Sequence, residues 1–305
     1  MGRSLKWIGS SHVQGSGLPA LAAVLLVVGV AVTLLHGCDG AEDDPGDGGG
    51  ASGTGAPVGG AAGQGGQPAA GSGTGGESGG AGGSAPLVET EVWLIGDSTV
   101  SPDSGWGDSL EDYLADEATV HNRARSGRSS KSFREETGNY WTEHPDAVMN
   151  HLAAGDYVLI QFGHNDEKDD VERHTEPGSP PDYQDTFRQY LESYIDDTRS
   201  VGATPVLITP VSRMSFDSAG AHLRTHGDYP AAMLQTGSAN GVVVLDLELR
   251  SHQRFDQLGE TQTLELFSDG VDRTHFPADK AWRVAEMVAE LLAESTSPLG
   301  AYVRP

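Results

Sequence analysis

Three short runs, YVLIQF at 157–162, TPVLIT at 204–209 and GVVVLD at 241–246, are apolar almost throughout rather than at every second position. A strand with one face in water alternates, whereas a strand buried on both faces does not, and such strands belong to parallel sheets covered by helices. Two further strand candidates, EVWLI at 91–95 and residues 119–122, precede them. Between the strands the spacing predicts helices over 110–116 and 145–153, and along the stripe Phe187, Tyr190, Leu191, Tyr194, Ile195. A last helix follows Pro277, a residue suited to a first helical turn, and carries Ala281, Val284, Ala285, Val288 and Leu292 on one stripe. Strand and helix alternating in this way predict an α/β fold, a doubly wound three-layer α/β/α sandwich around a central five-stranded parallel sheet. Ligands of such sheets bind beyond the carboxyl ends of the strands, which directs attention to the residues just after each strand.

That pattern occupies residues 87–305 of a 305-residue chain, one catalytic domain in size. Residues 40–86 hold about half of the 42 glycines and almost no large apolar side chains, so no burial offsets the entropy of ordering them. They read as a flexible spacer with a mean reach of roughly 40 Å. Six of the 44 acids and two of the 19 bases precede residue 87, which leaves 38 against 17 and a formal charge of −21 on the folded part. Such a surface repels nucleic-acid backbones and anionic headgroups. The single cysteine excludes an intrachain disulfide and a cysteine-based zinc site.

That cysteine has a context of its own. Arg3 and Lys6, an uncharged apolar run at 18–35 and then Leu35-His36-Gly37-Cys38 resemble a bacterial lipoprotein signal peptide, although His36 is less usual there than a small residue. The resemblance implies removal of residues 1–37, lipidation of Cys38 and a lipid anchor in the cell envelope, with residues 38–86 as tether. An uncleaved signal anchor fits the same run, because 18 apolar residues just span the hydrocarbon core. Either way the folded domain is expected outside the cytoplasmic membrane.

After the first strand comes Gly96-Asp97-Ser98-Thr99-Val100. A serine where an apolar strand turns sharply exposes its hydroxyl at the sheet edge, as a nucleophile requires. A second Gly-Asp-Ser, at 107–109, has no strand before it and precedes a helical pattern, with Asp108 and Glu111 spaced as a capping box. Strand context therefore favours Ser98 over Ser109. After the second strand stands Gly127, and after the third Gly163-His164-Asn165-Asp166. A glycine N–H and an asparagine amide can stabilise an oxyanion; a turn glycine and a loop-capping asparagine fit the same residues. Before the last helix, Asp272 and His275 are three residues apart, so the carboxylate can fix the imidazole tautomer. A helix cap beside a surface histidine has the same spacing.

Taken together and in this order, these blocks resemble those of the SGNH (GDSL-like) hydrolase superfamily across nearly all of 87–305. Within it the chain is similar to rhamnogalacturonan acetylesterases, through Gly105-Trp106-Gly107, Ser126-Gly127-Arg128-Ser129, Thr209-Pro210-Val211-Ser212-Arg213 and His226-Gly227-Asp228-Tyr229-Pro230. The resemblance implies Ser98 as nucleophile, His275 as base and Asp272 as its orienting partner. It implies an oxyanion hole from the Ser98 N–H, the Gly127 N–H and the Asn165 side chain.

The expected function is removal of acetyl groups from plant cell-wall oligo- or polysaccharide through an acyl-enzyme, without metal or organic cofactor. Trp106, Tyr140 and Trp141 are candidates for stacking on sugar, with core positions as the alternative. Arg213 and His226 are candidates for the sugar site by resemblance, with structural pairing to an acid as the alternative. The acidic run 167–172 reads as a solvated loop, and His174 and His222 lack ligand spacing. A lipase- or thioesterase-like hydrolase would instead prefer long acyl chains. A non-catalytic carbohydrate-binding lipoprotein would have no use for a nucleophile, base and oxyanion donors together.

Overall fold

Successive side chains of a strand point to opposite faces, and in β1 (Thr90–Gly96) both faces are apolar. In a computed structural model of the chain, which describes residues 86–102, 104–178 and 186–305, Val92 and Leu94 pack into one core and Trp93 and Ile95 into another. The leader expected at 1–37, Cys38 and the spacer up to residue 85 lie outside the described residues. Strands β1, β2 (Ala118–Asn122), β3 (Tyr157–Gln161), β4 (Thr204–Ile208) and β5 (Val243–Leu245) form one sheet in the order β2-β1-β3-β4-β5. Every neighbouring pair is parallel. This is the expected α/β/α sandwich, and the strand order reverses between β1 and β3, where a crevice opens at the carboxyl ends.

A one-turn helix α1 (Ser132–Glu135) follows β2, and α2 (Phe187–Ser200) and α3 (Tyr229–Asn240) cover the Trp93 face. Helix α2 starts at Thr186, whose hydroxyl accepts from the Gln189 N–H at 3.2 Å, and buries Leu191, Tyr194 and Ile195 as the stripe requires. Helices α4 (Leu247–Phe267) and α5 (Trp282–Glu294) cover the Val92 face, with Val284, Val288 and Leu292 of α5 fully buried. Among the described residues no helix is long and apolar enough to cross a membrane.

Two expected helices do not form. Residues 107–113 make a 3₁₀ segment, Gly107–Tyr113, and the capping box is absent: Asp108 instead accepts from Asn122 Nδ2 at 2.8 Å. Within 145–153 only Val148–Asn150 is helical, again 3₁₀, because the Val148 and Met149 N–H groups donate to the Tyr140 and Trp141 carbonyls rather than to residues four back. Helices α3 and α4 have no counterpart in the expected pattern. The α3 sequence, YPAAMLQTGSAN, buries Tyr229 and Met233 on the same face as Ala232, Thr236 and Gly237, a mixed face that no apolar stripe marks; a Cβ on its Gly237 would lie 2.1 Å from Val244. Helix α4 is broken at Gly259, where φ is +71°.

Candidate active site

The turn after β1 is built so that one hydroxyl is left over. Gly96 lets β1 run close to β3, since a Cβ there would sit 2.6 Å from the Gln161 carbonyl. The Val100 and Ser101 N–H groups then donate to the Asp97 carbonyl at 3.2 and 3.0 Å and close the turn. Asp97 is fully buried, and its Oδ1 accepts from the Thr99 N–H (2.9 Å) and hydroxyl (2.7 Å). The Thr99 hydroxyl accepts in turn from Gln161 Nε2 at 2.7 Å, and Gln161 Oε1 accepts from Trp106 Nε1 at 3.1 Å. The Ser98 carbonyl takes two hydroxyl donors, Ser104 at 2.9 Å and Ser101 at 3.2 Å. With its backbone held from both sides, Ser98 presents its Oγ to the crevice.

Trp106 is therefore not a sugar platform. It is fully buried, and Gly105 is what allows it to fold back under the nucleophile turn: a Cβ on Gly105 would lie 2.4 Å from the Thr99 carbonyl, to which the Trp106 N–H donates at 2.9 Å. Trp141 is likewise core, with its indole N–H on Asp197 at 2.9 Å.

His275 Nε2 lies 2.9 Å from Ser98 Oγ, and its Nδ1 lies 2.8 Å from Asp272 Oδ2. A carboxylate only accepts, so Nδ1 carries the proton and Nε2 is left to accept from the serine hydroxyl. The acid and base share one turn: Asp272 Oδ1 accepts from the Thr274 N–H (2.7 Å) and the His275 N–H (3.0 Å). Burial pushes the Asp272 carboxyl up, but these donations and the imidazole outweigh it and hold the carboxyl below the usual carboxylate range. The turn docks on both sides, with the Phe276 N–H on the Ser104 carbonyl (3.1 Å) and the Met214 N–H on the Arg273 carbonyl (2.8 Å). Ser109, of the second Gly-Asp-Ser, lies in the 3₁₀ segment, as its lack of a preceding strand suggests.

The loops after β2 and β3 meet beside this relay. Ser126 Oγ is 3.0 Å from Ser101 Oγ, and Asn165 Nδ2 donates to the Arg128 carbonyl at 3.1 Å, so Gly127 is flanked by ties to both neighbouring loops. Gly127 has a φ of +78°, in the left-handed region that favours glycine. Among the described residues neither the Ser98 N–H nor the Gly127 N–H has an acceptor, and one N–H of the Asn165 amide is unused. The site thus combines an oriented hydroxyl, a tautomer-fixed imidazole and backbone and amide donors for a developing oxyanion, a set that can carry acyl transfer.

Residues 94–282 match the GDSL-like Lipase/Acylhydrolase family. The chain belongs to that family. As a GDSL-like acylhydrolase it is a carboxylic ester hydrolase. It is 37% identical over 228 residues to the rhamnogalacturonan acetylesterase RhgT of Bacillus subtilis (strain 168), which covers 68% of this chain and 92% of the relative. It is 38% identical over 218 residues to the probable rhamnogalacturonan acetylesterase YesY of the same organism, over 68% of this chain and 94% of the relative. The crystal structure of YxiM from Bacillus subtilis superposes with a TM-score of 0.55 at 26% identity, over 68% of this chain and 57% of that one, so the acylhydrolase chain spans little more than half of YxiM.

One of the acylhydrolase's supporting carboxylates, Asp166, and one histidine, His164, have no role in the sequence-based expectation. Asp166 is fully buried and accepts from the Ser130 N–H and hydroxyl and from the Thr175 hydroxyl, which ties the β2 loop to the β3 loop. Burial pushes its carboxyl up to about 7 despite these donors. His164 is buried with Nδ1 3.4 Å from Asp97 Oδ2. Burial and the neighbouring His226 and Arg213 pull it down to about 4, so it is neutral at pH 7. Only proximity to a completed sheet reveals either residue. Glu167, at the head of the acidic run, is not simply solvated: it is half-buried and pairs with Arg213.

Arg213 and His226 need correcting together. His226 is 1% exposed, with Nε2–H donating to the Val211 carbonyl at 3.0 Å and Nδ1 3.3 Å from Arg213 Nη1, so it cannot touch a sugar. Arg213, the more accessible of the two, is ion-paired to Glu167 and hydrogen-bonded to Thr225 at 3.2 Å. The run His226 to Pro230 has a structural role: it starts α3, with Pro230 in the first turn and the Tyr229 hydroxyl donating to the Asp166 carbonyl at 3.1 Å.

Proposed function

We propose that this acylhydrolase removes acetyl groups from pectic plant cell-wall polysaccharide, with Ser98 as nucleophile, His275 as general base and acid, and Asp272 as the group that orients it. The relay of 2.9 and 2.8 Å from Ser98 Oγ through His275 to Asp272 carries the chemistry of this reading. The similarity to RhgT and YesY supports the substrate class. The groove of about 270 Å³ next to Gly127 sets Arg125, Ser126, Arg128 and Asn139 beside Phe133 and Tyr140, so it offers a sugar hydrogen-bonding groups as well as apolar surface.

As the Ser98 oxygen bonds to the acetyl carbon, its proton passes to His275 Nε2 and the carbonyl oxygen becomes an oxyanion. The Ser98 N–H, the Gly127 N–H and Asn165 Nδ2 receive that charge, each worth about 3–4 kcal/mol in the transition state. The bond to the sugar oxygen breaks as Nε2 returns the proton to it. Water then adds to the acyl-enzyme with the same proton route, and acetate leaves as Ser98 regains its hydrogen.

The decisive experiment is acetate release from acetylated pectins and xylans, with p-nitrophenyl acetate and octanoate alongside, by wild type, Ser98→Ala and Ser109→Ala. Release from pectins that is abolished only by Ser98→Ala is the expected result; strong preference for octanoate with no release from any polysaccharide would overturn the reading.

The same proposal places the enzyme outside the cytoplasmic membrane, lipid-anchored through Cys38. The basic start, the apolar run and the position of the only cysteine support it. Cys38→Ser should move the protein from the membrane fraction to the soluble exported fraction; equal membrane retention would favour an uncleaved anchor.

A further inference from the structure

The groove beside Gly127 contains a cation without a counter-ion among the described residues. Arg128, on one wall, is neutralised by Glu136, to which its Nη2 donates at 2.7 Å. Arg125 has no carboxylate partner among the described residues, in a fold whose formal charge is strongly negative. Its guanidinium lies 3.7 Å over the ring of Tyr140, and His144 stacks on the same ring at 4.1 Å, so both faces of Tyr140 are occupied. Tyr140 therefore does not stack on sugar; it holds Arg125. The Arg125 Nε is buried without a hydrogen-bond partner, and its backbone N–H donates to the Gly96 carbonyl at 3.0 Å, one residue from the nucleophile turn. Ser126 joins this groove to Ser101 and hence to the Ser98 carbonyl. A guanidinium fixed in advance and lacking an anion is a ready carboxylate receptor, because little side-chain entropy is lost when the ligand arrives.

We propose that Arg125, positioned by Tyr140, reads the carboxylate of a uronate residue within one sugar ring of the ester that Ser98 attacks. The proposal rests on the polysaccharide reading above and adds to it a charge requirement at a named side chain. It also reconciles an acidic protein with an acidic polymer: the long-range repulsion is screened within about 8–10 Å in physiological salt, while the contact to Arg125 is short-ranged.

The test compares kcat/KM for acetylated pectic oligosaccharides with free carboxylates against the same material methyl-esterified. Wild type should favour the free acid roughly tenfold, chiefly through KM, and raised salt should shrink that preference. Arg125→Gln should bring the ratio close to one, and Arg125→Lys should restore part of it. A wild-type ratio near one overturns the inference without needing any variant. Inhibition of p-nitrophenyl acetate hydrolysis by unacetylated oligogalacturonate separates the two readings. If pectic substrates release no acetate, yet oligogalacturonate inhibits wild type and inhibits Arg125→Gln about tenfold more weakly, the polysaccharide reading fails and the carboxylate subsite stands. If oligogalacturonate inhibits both equally or neither, the subsite is refuted.

Discussion

Asn165 Nδ2 donates to the Arg128 carbonyl at 3.1 Å, so one side chain both offers an N–H to the site and holds the loop that carries Gly127. Asn165→Ala removes the proposed oxyanion donor and the tie at once. Its kcat on p-nitrophenyl acetate should fall by about 10²–10³-fold. Retention of more than a tenth of wild-type kcat in a folded variant would remove Asn165 from the oxyanion hole.

Gly105→Ala places a methyl group 2.4 Å from the Thr99 carbonyl, where backbone rather than a flexible side chain must give way. Overpacking of this kind costs about 1–3 kcal/mol or more, which in a domain of this size lowers Tm by roughly 2–12 °C. Because the strain falls on the nucleophile turn, activity below the transition should drop as well. A Tm and kcat both equal to wild type would show that the turn can relax.

Trp106→Phe keeps most of the buried ring but removes the N–H that reaches Gln161 Oε1 at 3.1 Å. The orphaned amide oxygen should destabilise the fold by about 1–3 kcal/mol. Urea denaturation of the variant is the direct measurement, and a second change of Gln161 to Leu should recover part of the loss.

Asp166 and His164 impose opposite pH dependences. The folded Asp166 holds its proton up to about 7, well above its unfolded value, so its contribution to stability falls as pH rises from about 4 to 7. The folded His164 stays neutral down to about 4, below its unfolded value, so its contribution is complete above about pH 6.5 and is lost on acidification. Thermal melts between pH 4 and 8 should show the advantage of wild type over Asp166→Asn shrinking as pH rises. The advantage over His164→Gln should grow over the same range. Parallel curves for all three proteins would mean that neither group titrates abnormally.

The strands and the pairing of Asp272 with His275 were legible because each is written locally: continuous apolar runs mark doubly covered strands, and Asp272 and His275 sit on one turn, whereas their link to Ser98, 177 residues away, came from the resemblance. Ser98 was separable from Ser109 by strand context alone. What escaped was written across the fold. Trp106 and His226 look like ligands in one dimension, yet the contacts that bury them, to Gln161 and Val211, join distant segments. Helix α3 buries Tyr229 and Met233 beside Thr236 and Gly237, a face of mixed polarity, and the close approach of Gly237 to β5 is visible only once β5 is placed. The role proposed for Arg125 depends on its having no carboxylate partner among the described residues, which no linear pattern records.

Ser98 and His275 are separated by 177 residues, and the turn that carries His275 precedes α5, the helix that closes the Val92 face of the sheet. A ribosome therefore releases the serine long before the histidine. Until residues 272–294 are joined, the chain lacks both the imidazole that faces Ser98 Oγ and the helix that closes one face of the sheet, so the same stretch completes the relay and the fold.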